Sequence, residues 1–417
     1  MHNKKLVLRW DRNFFAILCI VVVLFGSLGP FAKYRMVPSF LLFAILLLNI
    51  SFNQKKFKIC SNFVPWILFI IYLIINSLLF NLSGGINYLI MPFVGVLLVA
   101  TYFDILDIKF LCRLLCVGSF VFALFTYANK SNPNIILDFF GNFIHDGQKI
   151  TIERDLYYGG IPGLAGESSF NAFFINYGLF YAAACLVINF NFSSLIYICF
   201  LMGAVFLTGK RSFLLLDLAI IFLCILIGIR RKYNIKRTYF YGSSSVVVLA
   251  LSPLLYKNVD SILTKGGSSI DLSNRNWFWE MAFELFRKNP ILGSGINTYD
   301  YLYNSRKQGL LYIAFAGAHN SYIQLLAETG IVGEILFLIA IGGAIFFSIK
   351  CIANTHNSKY IVYAIFSVIS QIFILIYAFT ENPFYQPQQF IFYFLTLSIC
   401  FNVDRCSDND ELIYQYL

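Results

Sequence analysis

The segment T-G-K-R-S-F-L-L-L-D-L-A-I-I-F-L-C-I-L-I-G-I-R-R-K, residues 208–232, decides the fold class. Between Arg211 and Arg230 it carries a single charged residue, Asp217, within a run of apolar residues. A helix needs about 20 apolar residues to cross the hydrocarbon of a membrane, with some tolerance for tilt. Residues 212–229 therefore predict a membrane-spanning helix, and basic residues stand at both of its ends.

Similar apolar segments recur along the chain. The 417 residues are 59% hydrophobic and 12% charged, whereas soluble domains carry roughly 25% charged residues. Lipid must therefore be the solvent for most of the surface. We predict an all-α, polytopic membrane bundle of about twelve transmembrane helices, because lipid-exposed backbone must pair internally and the alternating pattern of a barrel is absent. The predicted spans lie near residues 13–29, 37–52, 62–80, 86–103, 110–127, 168–190, 193–209, 212–229, 238–255, 331–350, 360–379 and 386–403.

Basic residues in the short loops predict the orientation, because cytoplasmic loops are enriched in Lys and Arg. Seventeen basic residues fall on one side, and the four on the other are Lys33, Arg35, Lys210 and Arg211. Both termini are thus predicted to be cytoplasmic. These clusters also account for the net charge of +10, so no nucleic-acid partner is expected.

The predicted topology places two long loops outside the membrane. Connections have a median length of about 4–6 residues, so loops of this size are expected to carry function. The segments are spans 1–5 within 1–127, the first external loop 128–167, spans 6–9 within 168–255, the second external loop 256–330, spans 10–12 within 331–403, and a cytoplasmic tail 404–417.

The second loop contains a predicted amphipathic helix from Ser273 to Lys288. Its apolar residues recur at helical spacing, and Asn289-Pro290 ends it. We expect this helix at the outer membrane interface, although an ordinary packed helix has the same periodicity.

The same loop ends in A-H-N-S-Y-I-Q-L-L-A-E-T-G-I-V-G, residues 318–333. We expect His319 in the first turn of a helix, where the free N–H groups favour an anion and disfavour imidazolium. A neutral imidazole there would suit a general base. The alternative is an interfacial histidine whose ring is satisfied by a carbonyl group.

Two motifs precede this one, S-N-R-N-W-F-W (273–279) and N-P-I-L-G-S-G (289–295). In this order the three motifs resemble the C-terminal signature of the O-antigen ligase and repeat-unit polysaccharide polymerase superfamily, which includes Wzy-type polymerases and lipid A–core ligases. The residues that carry the resemblance are Arg275, Trp279, Pro290, Gly293, Gly295, His319, Asn320, Tyr322, Gln324, Ala327, Glu328 and Gly330.

Lys210 and Arg211 lie at the outer end of the helix quoted first, against the usual inside bias of basic residues. The resemblance implies an arginine here that binds a lipid-linked pyrophosphate. A guanidinium suits that role because it is always charged and binds phosphate oxygens in pairs. The alternative is an interfacial anchor. Asp217 below them is costly in a span and is expected either to neutralise an arginine or to belong to a proton path.

The first loop ends in Y-Y-G-G-I-P-G-L-A-G-E-S-S-F, residues 157–170. This looks like the G-x-x-x-E-P-S pattern of many repeat-unit polymerases, with Ser168 in place of the proline. Glu167 and, at a typical distance before it, Arg154 are therefore candidate substrate-binding residues. A glycine-rich turn with a capping box at Glu167 fits equally well.

The resemblance implies a GT-C-like fold and a metal-independent, inverting glycosyltransferase without a cofactor in the bacterial inner membrane. Its donor would be an undecaprenyl-pyrophosphate-linked oligosaccharide, and a flippase and a chain-length regulator would be its partners. Catalysis is expected from His319 and Arg211 on the periplasmic side. The expected substrate-binding residues are Arg275, Lys210, Glu167, Arg154, Asn320 and Tyr322.

Three functions remain open at this point. The glycine-rich segment with Glu167 favours a polymerase, and a ligase would use the same donor with a lipid A core as the acceptor. A flippase for the same lipid is the alternative of another class, although the polar residues concentrate outside the spans and no repeat relates the two halves.

Overall fold

A computed structural model describes residues 28–34, 36–52, 61–232, 272–306, 317–355 and 357–415. Within these ranges the chain forms 14 α-helices and no strand. Seven of these helices are long and apolar enough to cross a membrane, judged by length and composition. The prediction of an all-α, polytopic membrane protein is therefore confirmed.

A helix lies at each of the ten predicted spans that fall within the described ranges. The span predicted at 238–255 and nearly all of the span at 13–29 lie outside the described residues. In chain order the helices are α1 Met36–Phe52, α2 Val64–Phe80, α3 Leu82–Ala100, α4 Ile105–Ser131, α5 Ile135–Phe140, α6 Asp146–Tyr157, α7 Ser168–Ile188, α8 Phe192–Leu207, α9 Arg211–Lys232, α10 Leu272–Lys288, α11 Thr298–Arg306, α12 Ser321–Asn354, α13 Ser358–Tyr377 and α14 Pro387–Gln415.

Helices α7 and α14 form the centre of the bundle. Every residue of α7 from Ser168 to Phe180 is buried, and so is nearly every residue of α14 up to Val403. Helix α7 contacts α4, α8, α9 and α13, while α14 contacts α3, α12 and α13. A helix that is apolar on all sides is typical of such a central position.

The predicted amphipathic helix is α10. Its apolar face forms a separate cluster with α11 and the start of α12, built around Phe278, Met281 and Leu285 together with Tyr299 and Tyr303. The protein itself thus covers this face, which favours the packed-helix alternative over a helix lying in the membrane interface.

Helix α12 joins the motif of residues 318–333 to the predicted span 331–350 in one kinked helix. The kink is at Gly330, whose φ of 68° and ψ of −173° are not helical. The sequence motif therefore forms the first turns of a helix that continues into the bundle.

Candidate functional site

The motifs singled out in the sequence gather at one end of the bundle, where α7, α9 and α12 begin and α2 and α13 end; we call this the loop end. Two contacts join its parts. The ring of Phe213 in α9 lies 4.7 Å from the ring of Tyr377 in α13, and the Tyr322 hydroxyl of α12 donates to the Leu375 carbonyl at 2.9 Å. The turn with Lys210 and Arg211 and the motif with His319 therefore lie at the same end.

The N-P-I-L-G-S-G turn locks into the kink of α12. Ile331 N–H donates to the Pro290 carbonyl at 2.9 Å, and Gly295 N–H donates to the Glu328 carbonyl at 2.8 Å. Gly293 has a φ of 78°, and a Cβ added there would lie 2.2 Å from the backbone carbonyl oxygen of Glu328. Two of the three motifs are thus one interlocked backbone structure.

The side chain of Glu328 organises the residues around this turn. Its carboxylate accepts from Asn297 N–H at 2.9 Å, from Tyr299 N–H at 3.0 Å and from the Tyr385 hydroxyl at 2.8 Å. The residue is fully buried. Three donors to one buried carboxylate indicate a scaffolding role, so Glu328 holds the site together rather than facing a substrate.

His319 does not lie in the first turn of α12, and that prediction is wrong. Asn320 is the N-cap, so His319 precedes the helix, and its φ is +50°. Its Nδ1 lies 2.9 Å from Oε2 of Glu381, in the turn between α13 and α14. The imidazole therefore has a carboxylate as its partner in place of the expected carbonyl or the helix N-terminus.

Two of the expected substrate-binding residues have structural partners. The Asn320 side-chain oxygen accepts from Tyr322 N–H and Ile323 N–H, both at 3.1 Å, and so caps α12. The ring of Tyr322 lies 4.5 Å from that of Phe379, and its hydroxyl is bonded to the α13 backbone as described above. Both residues fix the helix that follows His319.

The motif of residues 273–279, in which Arg275 stands four residues before Trp279, contacts the His319 segment through that tryptophan. Trp279 Nε1–H donates to the Ala318 carbonyl at 3.0 Å, and the Phe278 ring lies edge-on to the His319 ring at 5.4 Å. Helix α10 therefore packs directly on the residue before His319. Arg275 belongs to the first turns of α10, and its side chain lies outside the described part of the structure.

Of the two alternatives for Glu167, substrate binding and a capping box, the capping box is wrong. Glu167 occupies the N-cap of α7, but its side chain makes no capping hydrogen bond. Asp155, buried in α6, performs the capping instead, because one of its oxygens accepts from both N–H and Oγ of Ser168 at 2.7 Å. The other oxygen lies 3.3 Å from the Arg154 guanidinium. Arg154 thus contacts the carboxylate that anchors the first loop to α7.

The first loop also contacts the turn that carries the two basic residues. Ile161 N–H donates to the Thr208 carbonyl at 3.4 Å, and Gly160 N–H donates to the Asp155 carbonyl at 2.8 Å. Lys210 is half-buried and Arg211 is exposed at the start of α9. The segment that follows α6, the helix of Arg154, therefore lies against the turn that carries Lys210 and Arg211.

Asp217 is fully buried inside the bundle. Its Oδ1 accepts from the Asn176 amide of α7 at 2.7 Å. Within the described ranges its other oxygen and the Asn176 side-chain oxygen have no hydrogen-bond partner. Among the described residues Asp217 thus pairs with an amide, and the expectation that it neutralises an arginine is wrong.

The sequence reasoning missed Glu381 and Asp155. Both are acidic residues in segments predicted to lie outside the membrane, which was the available signal. Glu381 follows the predicted span 360–379 in the segment T-E-N-P-F-Y. Glu381 and Glu167 both lie near Tyr377, so Glu167 lies near the His319–Glu381 pair.

Two comparisons with known proteins concern the family that the chain resembles. A family model described as O-antigen ligase matches residues 195–338, which extend from α8 to the middle of α12. The exopolysaccharide production protein ExoQ of Rhizobium meliloti (strain 1021) is 27% identical over 143 residues, 32% of each chain. The match thus spans about a third of that relative's length. Together they support the resemblance to the O-antigen ligase and polysaccharide polymerase superfamily, and that prediction is confirmed.

Proposed function

We propose that this chain, a membrane protein of the O-antigen ligase and polymerase type, polymerises lipid-linked oligosaccharide repeat units. The donor would be an undecaprenyl-pyrophosphate-linked glycan, and the acceptor a second lipid-linked unit. Polymerisation would take place on the outer face of the bacterial inner membrane, because the basic residues of the short loops assign the loop end to that side. The ExoQ likeness supports a role in making a polysaccharide.

The proposed site for the donor pyrophosphate is the turn before α9. Arg211 is exposed and Lys210 half-buried at the start of this helix. A guanidinium and an ammonium there would bind the diphosphate and stabilise the charge that develops as it leaves. Arg275 is the third proposed ligand. No metal is needed in this scheme, because the cations supply the charge stabilisation.

The proposed base is His319. It would remove the proton from the acceptor hydroxyl as the oxygen attacks the anomeric carbon on the face opposite the phosphate. The new glycosidic bond forms as the bond to the pyrophosphate breaks, so the configuration inverts. The leaving diphosphate takes the electron pair, and the imidazole takes the proton.

One observation carries this proposal: the Phe213–Tyr377 contact joins the start of α9 to the end of α13. The turn that follows α13 contains Glu381, the partner of His319. A cationic turn and a carboxylate-paired histidine at one end of a bundle of apolar helices suit a lipid diphosphate. The lipid chain would remain in the membrane, and the sugar would extend into the loops.

The test is an assay of the purified full-length protein with short undecaprenyl-pyrophosphate-linked repeats. We expect a ladder of longer glycans without any other acceptor. His319→Ala should reduce its formation about 10²–10⁴-fold, and Arg211→Ala about 10²–10³-fold. His145→Ala, whose histidine caps α6, is the matched control and should extend glycans at the wild-type rate. Full extension by His319→Ala would exclude the proposed base.

The ligase reaction is the second candidate, favoured by the description of the matching family model. It uses the same donor and differs only in the acceptor. Adding lipid A core to the assay separates the two functions. Transfer only in the presence of core would establish the ligase, whereas ladders without core would establish the polymerase.

A further inference from the structure

We infer that Glu381 is a positioning residue that sets the tautomer and orientation of His319. The inference rests on the proposed function, in which His319 is the base. The matched family segment ends at residue 338, so Glu381 lies beyond it, and only the fold brings it to the histidine across 62 positions of sequence.

The argument begins with the hydrogen bond. Glu381 Oε2 lies 2.9 Å from His319 Nδ1, and the two side chains are 29% and 34% exposed. A carboxylate can only accept, so Nδ1 is the nitrogen that carries the hydrogen. A neutral imidazole has only one N–H, so Nε2 keeps its lone pair. The contact thus presents Nε2 as the nitrogen that can take a proton.

The backbone at His319 has a conformation that its surroundings impose. His319 has a φ of +50°, a conformation that costs a residue with a side chain of the order of 1 kcal/mol and persists where the surroundings impose it. The Ser321 N–H after it donates to the carbonyls of Ala378 at 2.9 Å and of Glu381 at 3.2 Å. The turn after α13 therefore binds both the ring of His319 and the chain that follows it.

The same turn also binds the chain before His319. The side-chain oxygen of Gln324 accepts from Ala318 N–H at 3.0 Å and from the Asn382 amide at 3.1 Å. Residues on both sides of the histidine are thus fixed to residues 378–382. Glu381 adds a hydrogen bond to the imidazole itself, which a purely structural turn would not need.

The ring of His319 also has an aromatic neighbour. The Phe278 ring stands edge-on to the imidazole, with 5.4 Å between the centroids. The carboxylate bonded to Nδ1 and the aromatic ring in edge contact restrict rotation about the His319 side-chain bonds. Loss of Glu381 would release the ring without removing any backbone contact of the turn, because the turn is bonded through carbonyls and Asn382.

The test is a double-mutant cycle in the ladder assay with the full-length protein. Glu381→Ala should lower kcat about 10²-fold, the lower end of what a general base contributes, and leave KM for the lipid-linked unit unchanged. The double variant with His319→Ala should match His319→Ala alone to within about a factor of 2. Glu381→Gln, which keeps an oxygen acceptor, should recover part of the loss.

Matched controls and a second readout make every result decisive. Glu284→Ala removes a half-buried carboxylate of α10 that pairs with Lys288 and should not change kcat. The ring ¹⁵N shifts of His319 in the same protein report the tautomer without any activity, and Glu381→Ala should change them. Independent losses that multiply in the double variant, or unchanged shifts, would overturn the inference. A His319→Ala variant that still extends glycans would instead overturn the proposed function.

Discussion

Gly330 gives the sharpest test of the interlocked turn and helix. Its φ and ψ lie in a region that is essentially open only to glycine, at a cost of about 1–3 kcal/mol for other residues. A Cβ there would lie 2.4 Å from the Ile291 carbonyl oxygen and 2.5 Å from the Gly293 nitrogen. Both are backbone atoms of the interlocked turn, so no side-chain rotation relieves the clash. Gly330→Ala should therefore lower the free energy of unfolding by about 3 kcal/mol.

The measurement is the thermal unfolding midpoint of the purified protein in detergent. For a chain of 417 residues, a loss of this size should lower the midpoint by about 3–4 °C. The same helix supplies the control, because a Cβ at Gly342 or Gly343 would meet no atom of the described part of the chain within 4 Å. Alanine at those two positions should leave the midpoint unchanged or raise it slightly, since alanine favours helix. If Gly330→Ala unfolds at the same temperature as Gly342→Ala, the assigned interlock is wrong.

Two further predictions concern buried carboxyl groups. Burial raises the pKa of Asp300, in the first turn of α11, to about 6, above the unfolded value of about 3.9. The folded state then binds more protons between these values, so the free energy of unfolding should fall as the pH rises from about 4 to about 6. In denaturation series across this pH range, Asp300→Asn should reduce the decrease in the free energy of unfolding. Asp146→Asn is the control, because that side chain is 94% exposed, and it should leave the decrease unchanged. Asp217→Leu leaves the Asn176 amide without its acceptor and should lower the free energy of unfolding by about 1–3 kcal/mol. Asp217→Asn keeps an oxygen acceptor and should lose less. Equal losses for both variants would contradict the assigned pair.

Local periodicity was sufficient to predict the apolar spans and α10, but not the loop helices α5, α6 and α11. The amphipathic pattern over 273–288 gave α10 to within one residue, and Asn289-Pro290 ended it as expected. Ten apolar runs each coincide with a helix, because the length and polarity of a span are constrained by the membrane itself. The order of the three motifs was likewise sufficient to indicate the superfamily.

The partners of the site residues could not be predicted in this way. The bond between His319 and Glu381 spans 62 positions, and the cap that Asp155 places on Ser168 crosses a glycine-rich turn. Both depend on which helix ends meet, which no local pattern encodes. The error about His319 has a local cause: Asn320 is the better N-cap residue, so the helix begins one position later than expected.

The polar residues of α2 have a consequence for how the protein is made. The Asn76 amide donates to the Leu292 carbonyl at 2.7 Å and its oxygen accepts from Ile296 N–H at 3.1 Å, across 216 and 220 positions of sequence. The Tyr72 hydroxyl also bonds to Leu292, at 2.9 Å. At about 5–20 residues per second of synthesis, the nascent α2 must wait roughly 10–40 s before these partners exist. During that interval its polar groups need water, lipid headgroups or an insertion factor as temporary partners, and the arrival of residues 290–297 ends that dependence.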